Sequence, residues 1–209
     1  MAHAANLSDA AHLRWDELLS GEPGEAARTI EAHLDRMTGA ERVAWLRRAR
    51  SEHLQSLFEL CRDRPLRAEH LVPSSLRGGL PEGNLQAPAE ALHDGVNSLL
   101  LFRVFQKRFF RAADGTLAGY NPGPFNWATT PGYFVVREDE GGLFFDYTEL
   151  PRDVPAGWPR PIPNQRRLGR FVYHGLRDDM RRVSEHVCIG AVSRHGQPID
   201  TWFALCRRE

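Results

Sequence analysis

The sequence predicts an α+β protein: an N-terminal helical subdomain packed on a C-terminal curved antiparallel sheet, or partly open β-barrel, of six to seven strands. Three observations carry this reading. Apolar residues recur with a helical period through the first third of the 209-residue chain. Short aromatic and β-branched runs, separated by turns bearing glycine and proline, occupy the second half. Strands and helices do not alternate, which argues against a doubly wound parallel sheet.

The elements follow in order. Ser8 is placed to cap a helix carrying Leu13, Trp15, Leu18 and Leu19, and the Gly21–Gly24 run ends it. A second helix is expected from about Glu25 to Met37, with Ala26, Ile30 and Leu34 on one face. Thr38 stands three residues before Glu41, the spacing of a capping box. Val43, Leu46, Leu54, Leu57, Phe58 and Cys61 then extend a helical stripe to about Arg62. These helices make a subdomain over 1–64. The prolines and glycines of 65–92 forbid a continuous helix. Leu66, Leu71, Val72, Leu76 and Leu80 still offer apolar anchors, so an ordered linker is expected. The third part, 93–209, packs with the first as one unit.

Leu101, Phe102, Phe105 and Phe109 lie at helical spacing, which predicts a helix from Asp94 to about Gln106, then a strand running into an Asp114-Gly115 turn. Thr116–Tyr120 is a strand. Tyr133–Arg137 and Leu143–Tyr147 flank a glycine-ended turn and read as a hairpin. Phe171–His174 is a short strand, and Val183–Ser193 with Ile199–Cys206 form a second hairpin around His195–Pro198.

Hydrophobic content of 42% and charged content of 26% are ordinary for a globular protein. The formal net charge is zero, so no global field draws the molecule to nucleic acid or to an anionic membrane, and neither is an expected partner. The basic residues are arginines except Lys107. Cys61, Cys188 and Cys206 are too few, and too scattered, for a disulfide framework or a structural zinc site. The N-terminus lacks the charged start and apolar core of a leader, and no apolar run spans a bilayer, so a soluble cytoplasmic location is expected.

Chemically able side chains gather in Phe171–Gly190. If Val183, Val187, Ile189 and Ala191 form the apolar face of a strand, then Ser184, His186, Cys188 and Gly190 share the other. Trp202, Ala204 and Cys206 of the partner strand are expected beside that row. Such a wall suits a small-ligand pocket with a titratable imidazole, or a plain solvent-facing strand. Cys188 and His186 lie too far apart along a strand to form a nucleophile pair, so Cys188 reads as structural. His174, Asp178 and His186 match no metal signature, and no metal or cofactor is expected. Asp178 and Asp179 sit among arginines and suit ion pairs with Arg181 or Arg182.

Two loops add further candidates. Between Arg160 and Arg177 the chain carries five arginines, Arg170 among them, and no acidic residue, which suits an anion or a solvated loop. The Gly119–Trp127 segment presents Tyr120, Asn121, Asn126 and Trp127 on a backbone fixed by glycine and proline, as a cap over a pocket or as core. The proline-rich Leu150–Pro163 segment resembles a ligand for proline-binding modules or a crossover covering a sheet edge.

The functional expectation is a pocket for a small organic, possibly anionic, ligand. Tyr133, Tyr173, Ser184 and Trp202 would come from the sheet, and Asn121, Trp127 and Arg170 from the loops. An alternative is an enzyme in the same pocket with His174 or His186 as acid/base and Asp178 orienting it. A third reading is a protein-interaction module using the arginine and proline-rich loops.

Overall fold

A computed structural model describes residues 14–74, 89–99, 103–112, 114–124, 126 and 128–209. The proposed Ser8 cap and Trp127 lie outside them. Mixed helix and antiparallel sheet is what the structure shows, but the sheet is a closed barrel of eight strands in meander order. The strands are β1 (Ala89–Asn97), β2 (Val104–Arg111), β3 (Leu117–Tyr120), β4 (Phe134–Asp139), β5 (Gly142–Asp146), β6 (Leu176–Arg182), β7 (Val187–Arg194) and β8 (Gln197–Arg207). Each pairs with its chain neighbour, and β1 closes on β8 with His93 opposite Arg207 and Asn97 opposite Phe203. Closure removes the edge strands that an open twisted sheet would leave to solvent.

Two strands correct the sequence reading. Of the expected helix from Asp94 to Gln106, Asp94–Asn97 end β1 and Val104–Gln106 begin β2, while Leu101 and Phe102 lie outside the described residues. Inward residues of β2 alternate as Phe105, Lys107 and Phe109, while Phe110 is buried on the outer face. A lysine on the inner row and a phenylalanine on the outer one hide the period of two. The expected strand Phe171–His174 is replaced by a one-turn helix, α6 (Gly169–Val172), and Leu176–Arg182 becomes β6 instead. Val183–His186 is likewise a turn rather than the start of a strand, with Val183 N–H and Ser184 N–H both donating to Val187 O at 3.0 Å.

The N-terminal helices are α1 (Trp15–Leu19), α2 (Pro23–Asp35), α3 (Gly39–Leu46) and α4 (Ser51–Leu60). The capping box at Thr38 forms, its backbone N–H donating to Glu41 Oε2 at 2.8 Å while Oγ1 accepts from Glu41 N–H at 3.4 Å. The single long helix expected from there to Arg62 is broken at Arg47–Arg50. Arg103, from the β1–β2 connection, donates to the freed carbonyls of Arg47 and Ala49, a long-range contact that local sequence does not encode. Ile30, Leu34, Leu46, Leu54 and Leu57 pack over Val96, Val187, Ile189, Ala204 and Cys206 on the outer face of the barrel. On another outer face Trp158, in the proline-rich segment, joins Phe110, Ala118, Tyr120, Tyr133 and Val135. With the barrel closed, that segment covers a face and not an edge.

Eight strands leave an interior just wide enough for side chains to fill. Phe109, Phe134 and Phe145 fill it at mutual centroid distances of 4.9–5.3 Å, with Met180, Phe203 and Leu205. A short helix, α5 (Ala68–Leu71), lies under the lower end; there Arg111 donates to Val72 O at 2.8 Å and Arg207 to His70 O at 2.6 Å. Interior room is scarce at Gly119, where an added Cβ would stand 2.5 Å from Arg108 O and 2.7 Å from the Phe134 ring. The ring can tilt but the paired backbone carbonyl cannot. Gly119→Ala is therefore expected to destabilise by about 2 kcal/mol, within the range for overpacking. Gly190→Ala, which meets only the flexible ends of Phe203 and Met180, should cost less. Urea denaturation of the two variants checks the order.

Candidate functional site

The connections after β1, β3, β5 and β7 all emerge at one end of the barrel, here the upper end. Alternation along the strands points Lys107 of β2 and Asp178 of β6 inward, and carries the inner row of β3 on to Asn121 and that of β5 on to Tyr147. Lys107 Nζ stands 3.3 Å from Asp178 Oδ2, and both side chains are 4% exposed. The ammonium also donates to Asn121 Oδ1 at 3.0 Å and to the Tyr147 hydroxyl. Tyr147 in turn donates to Asp178 Oδ2 at 3.2 Å, and Asn121 Nδ2 donates to Gly132 O at 2.9 Å. Five aromatic rings, those of Phe105, Phe134, Phe145, Tyr147 and Phe203, lie with centroids 4.9–5.6 Å from the Lys107 nitrogen. The ring faces offer partial negative charge to the ammonium.

Burial pushes the Lys107 ammonium below, and the Asp178 carboxyl above, their ordinary values; the attraction between them opposes both shifts. Burial and the neighbouring carboxylate raise the Tyr147 hydroxyl as well, so it stays a neutral donor. Tyr173 lies over this group at the upper end, half-buried, its ring parallel to Tyr147 with centroids 5.8 Å apart. Gly132 admits it: a Cβ there would fall 2.6 Å from Tyr173 Cζ, and the residue has φ of +64°.

The structure thus brings together three residues singled out in the sequence, Asn121, Tyr173 and Asp178. It disperses the others. Tyr133 is on the outer face, its hydroxyl donating to Pro159 O at 2.6 Å. Ser184 and His186 sit in the lower β6–β7 turn. Ser184 Oγ is buried with no hydrogen-bond partner among the described residues, and His186 meets Arg207 at 3.2 Å and Glu209 at 3.5 Å. Trp202 packs beneath the helices. Arg170 is exposed on α6, its guanidinium 4.6 Å from the Phe171 centroid. His174, at the upper end, has a buried Nδ1 without a hydrogen-bond partner among the described residues and contacts the His195 ring at 5.3 Å.

Two expected pairings are corrected by register. Asp178 pairs with Lys107 and Asp179 with Arg177 at 2.7 Å, because alternation sends the two carboxylates to opposite faces. Arg182 instead pairs with Glu31 at 2.6 Å, and Arg181 stacks on Phe58 at 3.6 Å. Trp202, Ala204 and Cys206 stand opposite Ala191, Ile189 and Val187, not beside Cys188. Directly opposed residues share a face, so this row lies on the helix-covered outside while Cys188 and Gly190 point in. His186 and Asp178 are separated by roughly 20 Å of strand, because Asp178 pairs with Val192, six residues beyond His186.

The thiols are not poised for chemistry: burial pushes Cys188 up to about 12 and Cys61 to about 11. Among the described residues no group of three or more His, Cys, Asp or Glu side chains is placed to hold a metal ion. Two overlapping surface grooves of about 510 and 530 Å³ lie between α2 and α4, lined by Pro23, Glu59, Leu60 and Arg62, outside the barrel.

Lys107 and Tyr147 are the members that sequence reading missed. The signal for Lys107 was present: a single lysine in an arginine-rich chain, set between phenylalanines. Comparison with family models, curated proteins and solved structures gives no match for this chain.

Proposed function

We propose that the protein binds a small organic anion at the upper end of the barrel, with Lys107 as its charge partner and Tyr173 over the entrance. The observation that carries this is the burial of the sole lysine, with one carboxylate, among five aromatic rings. A desolvated ion pair contributes little net stability compared with well-packed apolar residues, so stability is a weak reason for it to be there. A primary amine flanked by an amide, a carboxylate and two phenols does suit recognition of an acidic or carbonyl oxygen. A ligand carboxylate would replace Asn121 Oδ1 or the Tyr147 hydroxyl as an acceptor at Nζ. The apolar remainder would lie against the parallel Tyr147 and Tyr173 rings at the upper end.

Mass spectrometry of the purified protein, native against denatured, tests this together with the double variant Lys107→Met/Asp178→Leu. An added mass on the native wild type, absent from the variant, is the expected result. A bare chain in both, or an adduct retained by the variant, counts against the proposal.

A second reading, acid–base chemistry at the same end, is favoured by the unpartnered Nδ1 of His174. Turnover of the bound compound would then show a histidine limb in its pH profile that His174→Ala removes and His186→Ala leaves intact. Binding without turnover would refute it.

A further inference from the structure

We propose that the upper rim of the barrel docks on an anionic phospholipid surface. Six large apolar side chains are exposed among the described residues: Leu99, Val104, Leu168, Phe171, Val172 and Ile199, between 39% and 61% accessible. Strand direction puts every one of them at the same end. Leu99 lies in the β1–β2 connection and Val104 begins β2; Leu168, Phe171 and Val172 belong to the β5–β6 connection; Ile199 is near the start of β8. Among the described residues the lower end and the barrel sides carry none; helices and the proline-rich segment pack on two of the outer faces.

Charge identifies the occupant. Exposed Arg166 and Arg170 adjoin the apolar cluster at α6, and neither has a carboxylate partner among the described residues. The stretch 160–177 contains no acidic residue, and the next one, Asp178, is turned into the barrel and held by Lys107. Asp200, beside Ile199, is the exposed acid at the rim nearest an apolar member in sequence. Arg194 donates at 3.2 Å to both Phe171 O and Val172 O, tying α6 to β7 so that these side chains project from a fixed backbone. Apolar side chains beside unpaired arginines at one end of the barrel match the headgroup boundary of a bilayer, where apolar groups enter the acyl edge and guanidiniums meet phosphate. This is peripheral contact; no described helix is long and apolar enough to cross a membrane.

Sedimentation of the full chain with vesicles tests the inference. Binding is expected to phosphatidylcholine vesicles containing phosphatidylglycerol, not to phosphatidylcholine alone, and should weaken with added salt. Arg166→Gln/Arg170→Gln should lower the partition coefficient about thirtyfold, given the contribution of each arginine near an anionic surface. Leu168→Ser/Phe171→Ser should lower it by at least about tenfold. These side chains are exposed, so both variants should keep the wild-type melting temperature, which circular dichroism checks. No binding to anionic vesicles, or equal binding by the variants, overturns the proposal. Retention on immobilised polyglutamate without vesicle binding also overturns it and assigns the rim to an acidic protein. The double variant at Lys107 and Asp178 should still bind vesicles, which separates this test from that of the interior site.

Discussion

Lys107→Met is expected to destabilise the protein by roughly 3–5 kcal/mol, whereas Lys107→Met/Asp178→Leu should lie close to wild type. The single change leaves the Asp178 carboxylate buried opposite Phe145 without its counter-ion, and the Tyr147 hydroxyl alone cannot replace it. The double change removes both desolvation costs and leaves apolar side chains of similar volume in an aromatic interior. The pH dependence has a definite sign. In Lys107→Met, Asp178 stays folded most easily as the neutral acid, so its native carboxyl titrates far above that of the unfolded chain. Stability is then greatest below the unfolded carboxylate range and is lost as pH rises through the native value. The penalty of the single variant therefore grows from acid to neutral pH, while that of the double variant does not. Urea denaturation at pH 4 and pH 7 would measure both. Equal penalties for the single and double variants would show that the pair itself carries stability.

His93 should dominate the histidine contribution to acid sensitivity. Its imidazole lies inside the barrel, with Nε2 donating to Leu71 O at 2.9 Å and Nδ1 buried without a hydrogen-bond partner among the described residues. Burial holds its native pKa at about 4, against an ordinary value of 6.5. A depressed native value means that the unfolded chain takes up the proton first. Stability from the neutral imidazole is fully present above about 6.5 and is lost as pH falls towards 4. The difference corresponds to about 3 kcal/mol. His93→Gln keeps a donor for Leu71 O and removes the titration, so stability between pH 6.5 and 4 should fall less steeply than in wild type. His33, His70 and His186 are also lowered by burial and act in the same direction, which makes the difference between the two proteins the quantity to measure. Parallel curves would refute the assignment to His93.

The sequence determined by itself whatever rests on local period and local chemistry. Ile30 and Leu34 mark a helix because their spacing repeats with its turn; Thr38 and Glu41 cap the next because both partners lie within one turn. The turns at Asp114-Gly115 and His195-Gly196 mark hairpins because only such residues fit their backbone, with His195 and Gly196 both at positive φ. The candidate site was legible where a loop or strand end advertised unusual chemistry, as at Asn121, Tyr173 and Asp178. Tertiary structure alone decided the rest. Whether a curved sheet closes depends on β1 meeting β8, across more than half of the 209-residue chain, and no local pattern carries that contact. Residues 94–106 offered a helical spacing that pairing overrode at 94–97 and 104–106, because the backbone groups of β1 found partners on both sides, in β2 and β8. The same closure makes both faces of β7 and β8 apolar. Alternation could not say which was inside, and Ser184, His186 and Trp202 were assigned to a wall they do not form. Lys107 gained its place for the same reason: a lone lysine becomes a buried charge only when strands distant in sequence bring Asn121, Tyr147 and Asp178 around it.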